Sequence, residues 1–185
     1  DVMLCAVAIM EGFQTIVSRF NDVRNPIVIN VGTVNAGERF NVVPGKVEMS
    51  GSNRAFSKHS REMMPKWMRK IIDNVCAAYD CTGKFEYKRG CGSTVNDSKS
   101  TEFVKKCVTK TIGEENIIEI PPSMGSEDFS SYLEEVPGTF MILGGGNRKK
   151  GYMYSQHSNH FTIDEDCLPI GAAVYSQVAC DFLKS

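Results

Sequence analysis

Histidine is scarce in this sequence, and the histidines present do not form a recognised metal-binding motif. Only His59, His157 and His160 occur among 185 residues, with neither an HExxH motif nor a paired CxxC motif beside them. A hydrolytic metal centre takes three or more protein ligands. The sequence therefore does not predict a complete metal centre within this chain.

An excess of one charge is also lacking, because 21 basic residues balance 22 acidic residues and leave a formal charge of −1. This balance gives no electrostatic reason to expect nucleic acid or an anionic membrane as the main partner. A small neutral or acidic substrate fits the composition better.

Long apolar runs and clustered cysteines are absent as well. No apolar run approaches the roughly 20 residues of a membrane span, and the first residues lack the basic start of a signal peptide. The seven cysteines form an odd, scattered set, which predicts reduced and mostly buried thiols. These absences predict a soluble, cytoplasmic protein.

The first half contains two helical patterns and three β-rich runs. Apolar residues at helical spacing follow Asp1, a suitable N-cap, and a second helical pattern at 67–79 has Pro65 in its predicted first turn. The β-rich runs are 27–31, 47–56 and 85–89. One further strand before the first helix would complete the βαββαβ order of a ferredoxin-like module. Residues 1–96 thus predict an α+β domain that is incomplete ferredoxin-like, with its first strand absent.

The second half, residues 97–185, alternates helix and strand as part of an α/β sheet does. Polar turn-forming residues at 96–98 mark the predicted domain boundary. A helix closed by Gly113 follows, and Ser126 and Asp164 are the predicted N-caps of the last two helices. Short strands are predicted at 117–120 and 139–143.

His157 is the histidine whose surroundings best suit a metal ligand, since it follows a Gly-rich turn and precedes an acidic helix start. On the local sequence alone a metal ligand, a general acid or base and an ordinary surface residue all remain open. His160 would join it only in a helical loop, so a solvent-facing position is its simpler interpretation. His59 suits the solvated entry to a helix.

Other polar groups of the second half have two interpretations each. Glu127 and Asp128 suit the acidic first turn of a helix, although one of them could instead orient a metal-binding imidazole. Gly144 and Gly145 follow a predicted strand, where their N–H groups could face an oxyanion or simply form a flexible turn.

Asn41 and Arg54 form a candidate carboxylate-binding pair in the first half. The planar guanidinium donates two parallel hydrogen bonds to a carboxylate, and a neighbouring amide adds a further N–H donor. The alternative is a surface arginine on a strand, paired with Glu48 or another neighbour.

Together these segments resemble the family of metal-dependent amidohydrolases and metallopeptidases that includes aminoacylase, carboxypeptidase G, hippurate hydrolase and the indole-acetyl-amino acid hydrolases. The matching segments follow one another from end to end of the chain: 4–19, Val31-Gly32-Thr33-Val34, Asn41-Val42-Val43-Pro44, Gly51-Ser52-Asn53-Arg54, Asn96-Asp97, 124–133, Val136-Pro137-Gly138 and 157–165. Their order makes the resemblance more specific than any single segment.

The resemblance implies a lid, usually also the dimer interface, inserted into a catalytic α/β domain that binds two ions of Zn²⁺ or of Mn²⁺, Co²⁺ or Ni²⁺. Residues 1–96 then resemble the later part of the lid/dimerisation domain, and 97–185 resemble the C-terminal part of the α/β metallopeptidase catalytic domain. The early catalytic half, which supplies most metal ligands and the glutamate general base, has no counterpart in this chain.

In the lid, the resemblance implies roles for two groups of residues. Asn41 and Arg54 resemble lid residues that face the substrate carboxylate. Asn35 stands where many relatives have histidine, so it can donate a hydrogen bond but cannot act as an acid or base.

In the catalytic half, His157 resembles the last metal-binding histidine. Asp128, with Glu127 beside it, matches an acidic position of supporting role. Gly144 and Gly145 match a loop at the site.

The implied function is hydrolysis of the amide bond of an N-acyl amino acid or a dipeptide-like substrate by a parent enzyme, this chain alone being inactive. The expected partners are a small-molecule amide substrate and a second copy of the chain through the lid, with no nucleic acid and no membrane. Two alternatives remain: a non-catalytic dimerisation or binding module, and a peptidase of the same family.

Overall fold

The computed structural model describes residues 1–184, which fold into two compact units. The first unit comprises Asp1–Ser93 and Ser123–Glu127, and the second comprises Thr94–Pro122 and the chain from Asp128 onward. The chain combines helices with paired and unpaired extended segments, so the architecture is mixed α/β.

Helix α1, Val2–Thr15, opens the first unit and continues as a π-helical turn over Ile16–Phe20. The Asp1 carboxylate accepts hydrogen bonds from the N–H groups of Met3 and Leu4, at 2.8 and 3.2 Å. This geometry confirms Asp1 as the N-cap that the sequence predicts.

The helical segment Val2–Phe20 is 19 residues long and has a mean hydropathy of 1.4. By length and composition it is apolar enough to cross a membrane, so the expectation that no apolar run approaches this length is wrong. Only Glu11 and Arg19 are charged within it. One face lies in the core through residues such as Cys5 and Phe13, and this burial accounts for part of its apolar character.

A β-hairpin follows this helix. Strand β1, Ile27–Ala36, pairs antiparallel with strand β2, Val47–Ala55, and the register runs from Ile27 opposite Ala55 to Ala36 opposite Val47. The register shifts at Gly32, which forms a bulge in β1. Ile27 and Ile29 are buried, so the beginning of β1 packs on the core.

Helix α2, Lys58–Ala78, packs with α1 against the hairpin. The Ser57 hydroxyl accepts a hydrogen bond from the Ser60 N–H at 3.0 Å, and this cap begins the helix two turns before Pro65. The expectation that Pro65 lies in the first turn is therefore wrong, because the proline sits inside the helix. Ile16 and Met64 are fully buried at the centre of this core.

Residues 85–89 form no strand and pair with no other segment of residues 1–184, so the predicted third strand is wrong. Side chains hold the segment in place. The Arg69 guanidinium donates to the Phe85 carbonyl at 3.1 Å, and the Tyr87 hydroxyl donates to the Asn53 amide oxygen at 2.9 Å. The hairpin is the only sheet within residues 1–184, and the ferredoxin-like arrangement stays a prediction.

The second unit is built on three helices within its described residues: α3 at Ser98–Ile112, α4 at Ser130–Leu133 and α5 at Cys167–Phe182. A 3-10 turn, Glu114–Asn116, follows α3. Gly113 ends α3 with a φ of 87°, which confirms the predicted helix end. Buried Cys107 and Val174 lie where α3 and α5 pack together.

Several predicted boundaries in the second unit are wrong. Ser126 does not cap a helix, because α4 begins only at Ser130, and Asp164 does not open α5, which begins at Cys167. The runs 117–120 and 139–143 form no strand, and no strand of the described chain pairs with them. A strand forms a ladder only beside a second strand that accepts and donates its backbone hydrogen bonds.

Candidate functional site

The loop that precedes α5 carries His157 in a left-handed backbone conformation, with a φ of 68°. Apart from glycine, residues rarely adopt this conformation, which costs on the order of 1 kcal/mol and concentrates at functional sites. Turns on the C-terminal side hold the loop, because Ser158 N–H donates to Ser155 and Phe161 N–H donates to Ser158. The loop therefore presents His157 from a strained, hydrogen-bonded position.

The His157 side chain is exposed, and its imidazole makes no hydrogen bond with any residue in the described part of the chain. His160 differs, since its ring lies 5.2 Å from the Tyr154 ring, measured between centroids. His157 is thus open to an external ligand, whereas His160 already has an aromatic neighbour.

Asp164 connects the His157 loop to the glycine turn at 144–146. Its backbone N–H donates to the Gly145 carbonyl at 2.8 Å. Its carboxylate accepts hydrogen bonds from the Lys150 ammonium and from the Asn147 amide, both at 2.6 Å. The hydrogen bond from Lys150, followed by that from Asn147, lowers the pKa of Asp164 to about 2.

This role of Asp164 was missed in the sequence, where the residue resembled a helix cap. Lys150 also pairs with Asp166 at 2.9 Å, and the two carboxylates raise the pKa of the lysine. Two residues of the sequence could have indicated this role of Asp164: Asn147, directly after the triple glycine, and Lys150, three residues later. An amide and a cation next to a tight turn can fold back on a carboxylate that follows in the chain.

Gly144 and Gly145 differ in the space around them. A side chain at Gly144 would meet open space, whereas a Cβ at Gly145 would lie 3.1 Å from the Ile163 side chain. Neither glycine N–H donates a hydrogen bond to residues 1–184. The Gly144 N–H is therefore available to an anionic or carbonyl oxygen.

Glu127 and Asp128 lie where the chain passes from the first unit to the second. Asp128 is exposed and its carbonyl accepts from the Ser131 N–H at 2.9 Å, while Glu127 is half-buried. No hydrogen bond joins Asp128 to His157 among the residues that the structure describes. Any support of His157 by these carboxylates stays a prediction.

A metal site would need further ligands beside His157. Within residues 1–184 no group of three or more histidine, cysteine, aspartate or glutamate side chains could hold a metal ion. The described residues by themselves therefore do not fit a complete metal centre.

Asn41 and Arg54 lie at opposite ends of the hairpin. Asn41 is exposed in the connection 37–46, whereas Arg54 is half-buried and pairs with Val28 near the start of β1. Seven residues of β2 separate Val47 from Arg54, a length of about 23 Å. The joint binding of one carboxylate by Asn41 and Arg54 stays a prediction.

The Arg54 guanidinium makes no ion pair or hydrogen bond within residues 1–184. The alternative that it pairs with Glu48 is also wrong, because Glu48 instead binds Lys46. This contact lowers the pKa of the Glu48 carboxyl, chiefly through the lysine hydrogen bond. Asn35 is exposed and lies opposite Glu48, at the same end of the hairpin as Asn41.

Comparison with known proteins identifies the family to which these segments belong. Residues 7–181 match the family described as Peptidase family M20/M25/M40. The chain belongs to this family. The match spans both units, so the M20/M25/M40 assignment covers the hairpin with Arg54 and the loop with His157.

Three M20/M25/M40 relatives illustrate the similarity. Thermostable carboxypeptidase 1 of Saccharolobus solfataricus is 31% identical over 98% of this chain and 46% of its own length. IAA-amino acid hydrolase ILR1-like 2 of Arabidopsis thaliana is 34% identical over 100% of this chain and 42% of its own length. The solved YXEP protein of Bacillus subtilis, a dinuclear metal binding peptidase from the M20 family, is 25% identical with a TM-score of 0.82 and covers 100% of this chain and 46% of its own.

The chain spans about half the length of the curated relatives it matches. Its fold is therefore the mixed α/β fold of part of an M20 peptidase. A C-terminal portion fits this coverage.

Proposed function

We propose that this chain is the C-terminal portion of a metal-dependent hydrolase that cleaves the amide bond of N-acyl amino acids or dipeptide-like substrates. The observation that carries the proposal is the position of His157 in a chain of the M20/M25/M40 family. Its imidazole is exposed and has no hydrogen-bond partner among residues 1–184, and its backbone has the left-handed conformation described above. The carboxypeptidase and amino acid hydrolase names of two relatives support an amide substrate with a free carboxylate.

His157 would contribute one metal ligand to the intact enzyme. The dinuclear metal binding of the Bacillus subtilis relative supports two ions, which we take to be Zn²⁺ or else Mn²⁺, Co²⁺ or Ni²⁺. Such ions polarise a carbonyl when bound. Since no group of three possible ligands occurs within residues 1–184, the remaining ligands and the general base would belong to another part of the enzyme.

Arg54 would bind the substrate carboxylate. A half-buried guanidinium without a partner in residues 1–184 retains its full donor set for an external anion. A bidentate contact fixes the orientation of the substrate and so the position of the scissile amide bond.

Asn41 would reach the same substrate from a second copy of the chain. Val47, where the connection that carries Asn41 joins β2, lies about 23 Å along the strand from Arg54, which supports two copies of the chain as the source of the two side chains. This geometry supports a homodimer through the first unit, the lid of our interpretation. Asn35, at the Asn41 end of the hairpin, would add a hydrogen-bond donor but no acid or base.

The glycine turn and the two carboxylates have smaller roles in the proposal. The Gly144 N–H would donate to a substrate oxygen, with Gly145 fixing the turn through the Asp164 contact. Asp128 and Glu127 would support the site without contacting the reacting atoms.

The deciding experiment compares this chain with the complete reading frame that encodes it. We expect the chain alone to bind Zn²⁺ no better than a surface histidine and to hydrolyse no acyl amino acid above background. The complete protein should hold metal stoichiometrically after dialysis and turn over, and His157→Ala should reduce both while His160→Ala leaves both near the wild-type level.

Two results would redirect the proposal. A complete protein that dimerises but holds no metal and hydrolyses no amide would favour the non-catalytic dimerisation or binding module. Turnover of peptides without turnover of acylated amino acids would favour a peptidase of the same family.

A further inference from the structure

Three of the seven cysteines converge in the core of the first unit. Cys5 lies on α1, Cys76 lies in the last turn of α2, and Cys81 follows the end of α2. The Cys5 thiol donates a hydrogen bond to the Cys76 sulfur at 3.9 Å, and Cys81 packs against the buried cluster that contains both residues. None of the three has a disulfide bond.

The end of α2 explains why Cys81 returns to this place. Asp80 adopts a left-handed conformation with a φ of 51°, and the Cys81 N–H donates to the Cys76 carbonyl at 2.8 Å. The Asp80 N–H donates to the Ala77 carbonyl at 3.4 Å. These two bonds form a Schellman motif, in which the residue after the left-handed position packs back on the last turn of the helix. The motif therefore brings Cys81 to the face of α2 that contacts Cys5.

The three thiols differ in their access to solvent. Cys5 and Cys76 are buried, with 4% and 5% of their surface exposed, whereas Cys81 is only partly buried. Burial is the largest cause that raises the pKa of both Cys5 and Cys81, so both are protonated at neutral pH. A reagent in solution meets Cys81 first.

We propose that Cys5 and Cys81 form a disulfide modification site, which links α1 to the end of α2 when the chain meets a small-molecule disulfide such as oxidised glutathione. Cys81 is the entry thiol and Cys5 is the resolving thiol. The assignment follows from the packing of Cys81 against the buried cluster that contains Cys5, and from the greater exposure of Cys81 among the three thiols.

The chemistry proceeds by two thiol–disulfide exchanges. The Cys81 thiolate attacks one sulfur of oxidised glutathione, so a mixed disulfide forms and one glutathione leaves as its thiolate. The Cys5 thiolate then attacks the Cys81 sulfur, and the second glutathione leaves. Two protein thiols are oxidised, one glutathione disulfide is reduced to two glutathione molecules, and the two protein protons pass to the leaving thiolates.

The cross-link closes a loop of about 75 residues that contains the hairpin and α2. Such a loop reduces the conformational entropy of the unfolded chain, so the oxidised first unit should resist unfolding more than the reduced unit. A rise in Tm of about 5–15 °C is expected. This inference is independent of the proposed hydrolase function.

The test incubates the chain with mixtures of reduced and oxidised glutathione, blocks free thiols by alkylation and maps the linked peptides by mass spectrometry. A background variant with Cys91→Ala and Cys180→Ala removes the two exposed, isolated thiols. We expect a peptide that joins Cys5 to Cys81 and a higher Tm for the oxidised protein.

Matched variants separate the proposed pair from its neighbour. Cys81→Ala should abolish the cross-link, Cys5→Ala should stop the reaction at a Cys81–glutathione adduct, and Cys76→Ala should retain the Cys5–Cys81 linkage. Three results would overturn the proposal: a persistent glutathione adduct on Cys81 in the background variant, a linkage between Cys5 and Cys76 only, or no reaction of any of the three thiols. The mapping in the background variant needs no change at Cys5, so it remains valid if Cys5→Ala destabilises the fold.

Discussion

The proposed role of Arg54 in binding the substrate carboxylate can be tested directly by substitution. Its guanidinium has no hydrogen-bond or ion-pair partner within residues 1–184, so replacement by lysine breaks no polar side-chain contact there. Lysine keeps the charge but loses the planar two-point donor geometry.

In the complete enzyme we expect Arg54→Lys to lower kcat/KM about ten- to a hundred-fold, on the order of 1.5–3 kcal/mol, on substrates with a free carboxylate. The loss should be much smaller on the same substrate with its carboxylate converted to an amide, because no anion remains to be bound. Arg24→Lys is the control, since Arg24 forms an exposed ion pair with Asp22. Equal losses on acid and amide would indicate that Arg54 supports the strand or the dimer.

Asp164 links protonation to the stability of the His157 loop. Its folded pKa of about 2 lies below the ordinary value of 3.8. The stabilisation is therefore fully present above about pH 4 and is lost as the pH falls from about 4 towards 2.

Asp164→Asn should thus destabilise the protein near neutral pH, and the difference from the wild type should shrink as the pH falls through this window. Urea unfolding of both proteins at pH 6 and near pH 3 measures the difference. Asp166→Asn is a suitable control, because Asp166 is largely exposed. A difference that stays constant across this pH range would contradict the assigned pKa.

At the scale of elements, the close approach of the two hairpin strands beside the bulge requires glycine at position 51. A Cβ at Gly51 would overlap the backbone carbonyl of Asn30. We expect Gly51→Ala to reduce the free energy of unfolding by about 1–3 kcal/mol, because backbone atoms must move. Gly45→Ala in the connection, where no atom lies within 4 Å of the added Cβ, should change it by less than about 0.5 kcal/mol. Thermal unfolding of the two variants decides whether the hairpin tolerates the change.

Helices were easier to predict from this sequence than strands. Asp1 and Gly113 mark helix ends through contacts with residues only a few positions away, so local sequence suffices. The runs 85–89 and 139–143 have strand-like composition, yet a strand also needs a neighbour in space. No neighbour pairs with them within the described residues, and composition carries no information about that.

The cap predictions at Ser126 and Asp164 failed for a related reason. Both residues have the composition of N-caps, but the Asp164 carboxylate is used by Lys150 and Asn147. Contacts between side chains that lie 14 to 17 positions apart in the sequence depend on how the loop folds. The residues of the candidate site thus stay a prediction from the sequence, and the contacts that hold the His157 loop were not predicted.

At the scale of the whole molecule, the second unit exposes large apolar side chains on α5 and on the unpaired run before it. Tyr175 is 75% exposed and Ile142 is 65% exposed. The sequence pattern predicts burial of such residues, and the relatives are about twice as long as this chain. Apolar composition and spacing by themselves therefore do not predict which of these residues are exposed.

The separation of Asn41 from Arg54 along the hairpin has a genetic consequence for the complete enzyme. If each site draws Arg54 from one subunit and Asn41 from the other, alleles with Arg54→Ala and with Asn41→Ala are each defective alone but complement one another. A mixed dimer holds one doubly mutant site and one intact site. Random mixing in equal amounts should therefore restore about a quarter of the wild-type sites, and active-site titration after co-expression measures that fraction. Absence of complementation would assign both side chains to the same subunit or to no shared site.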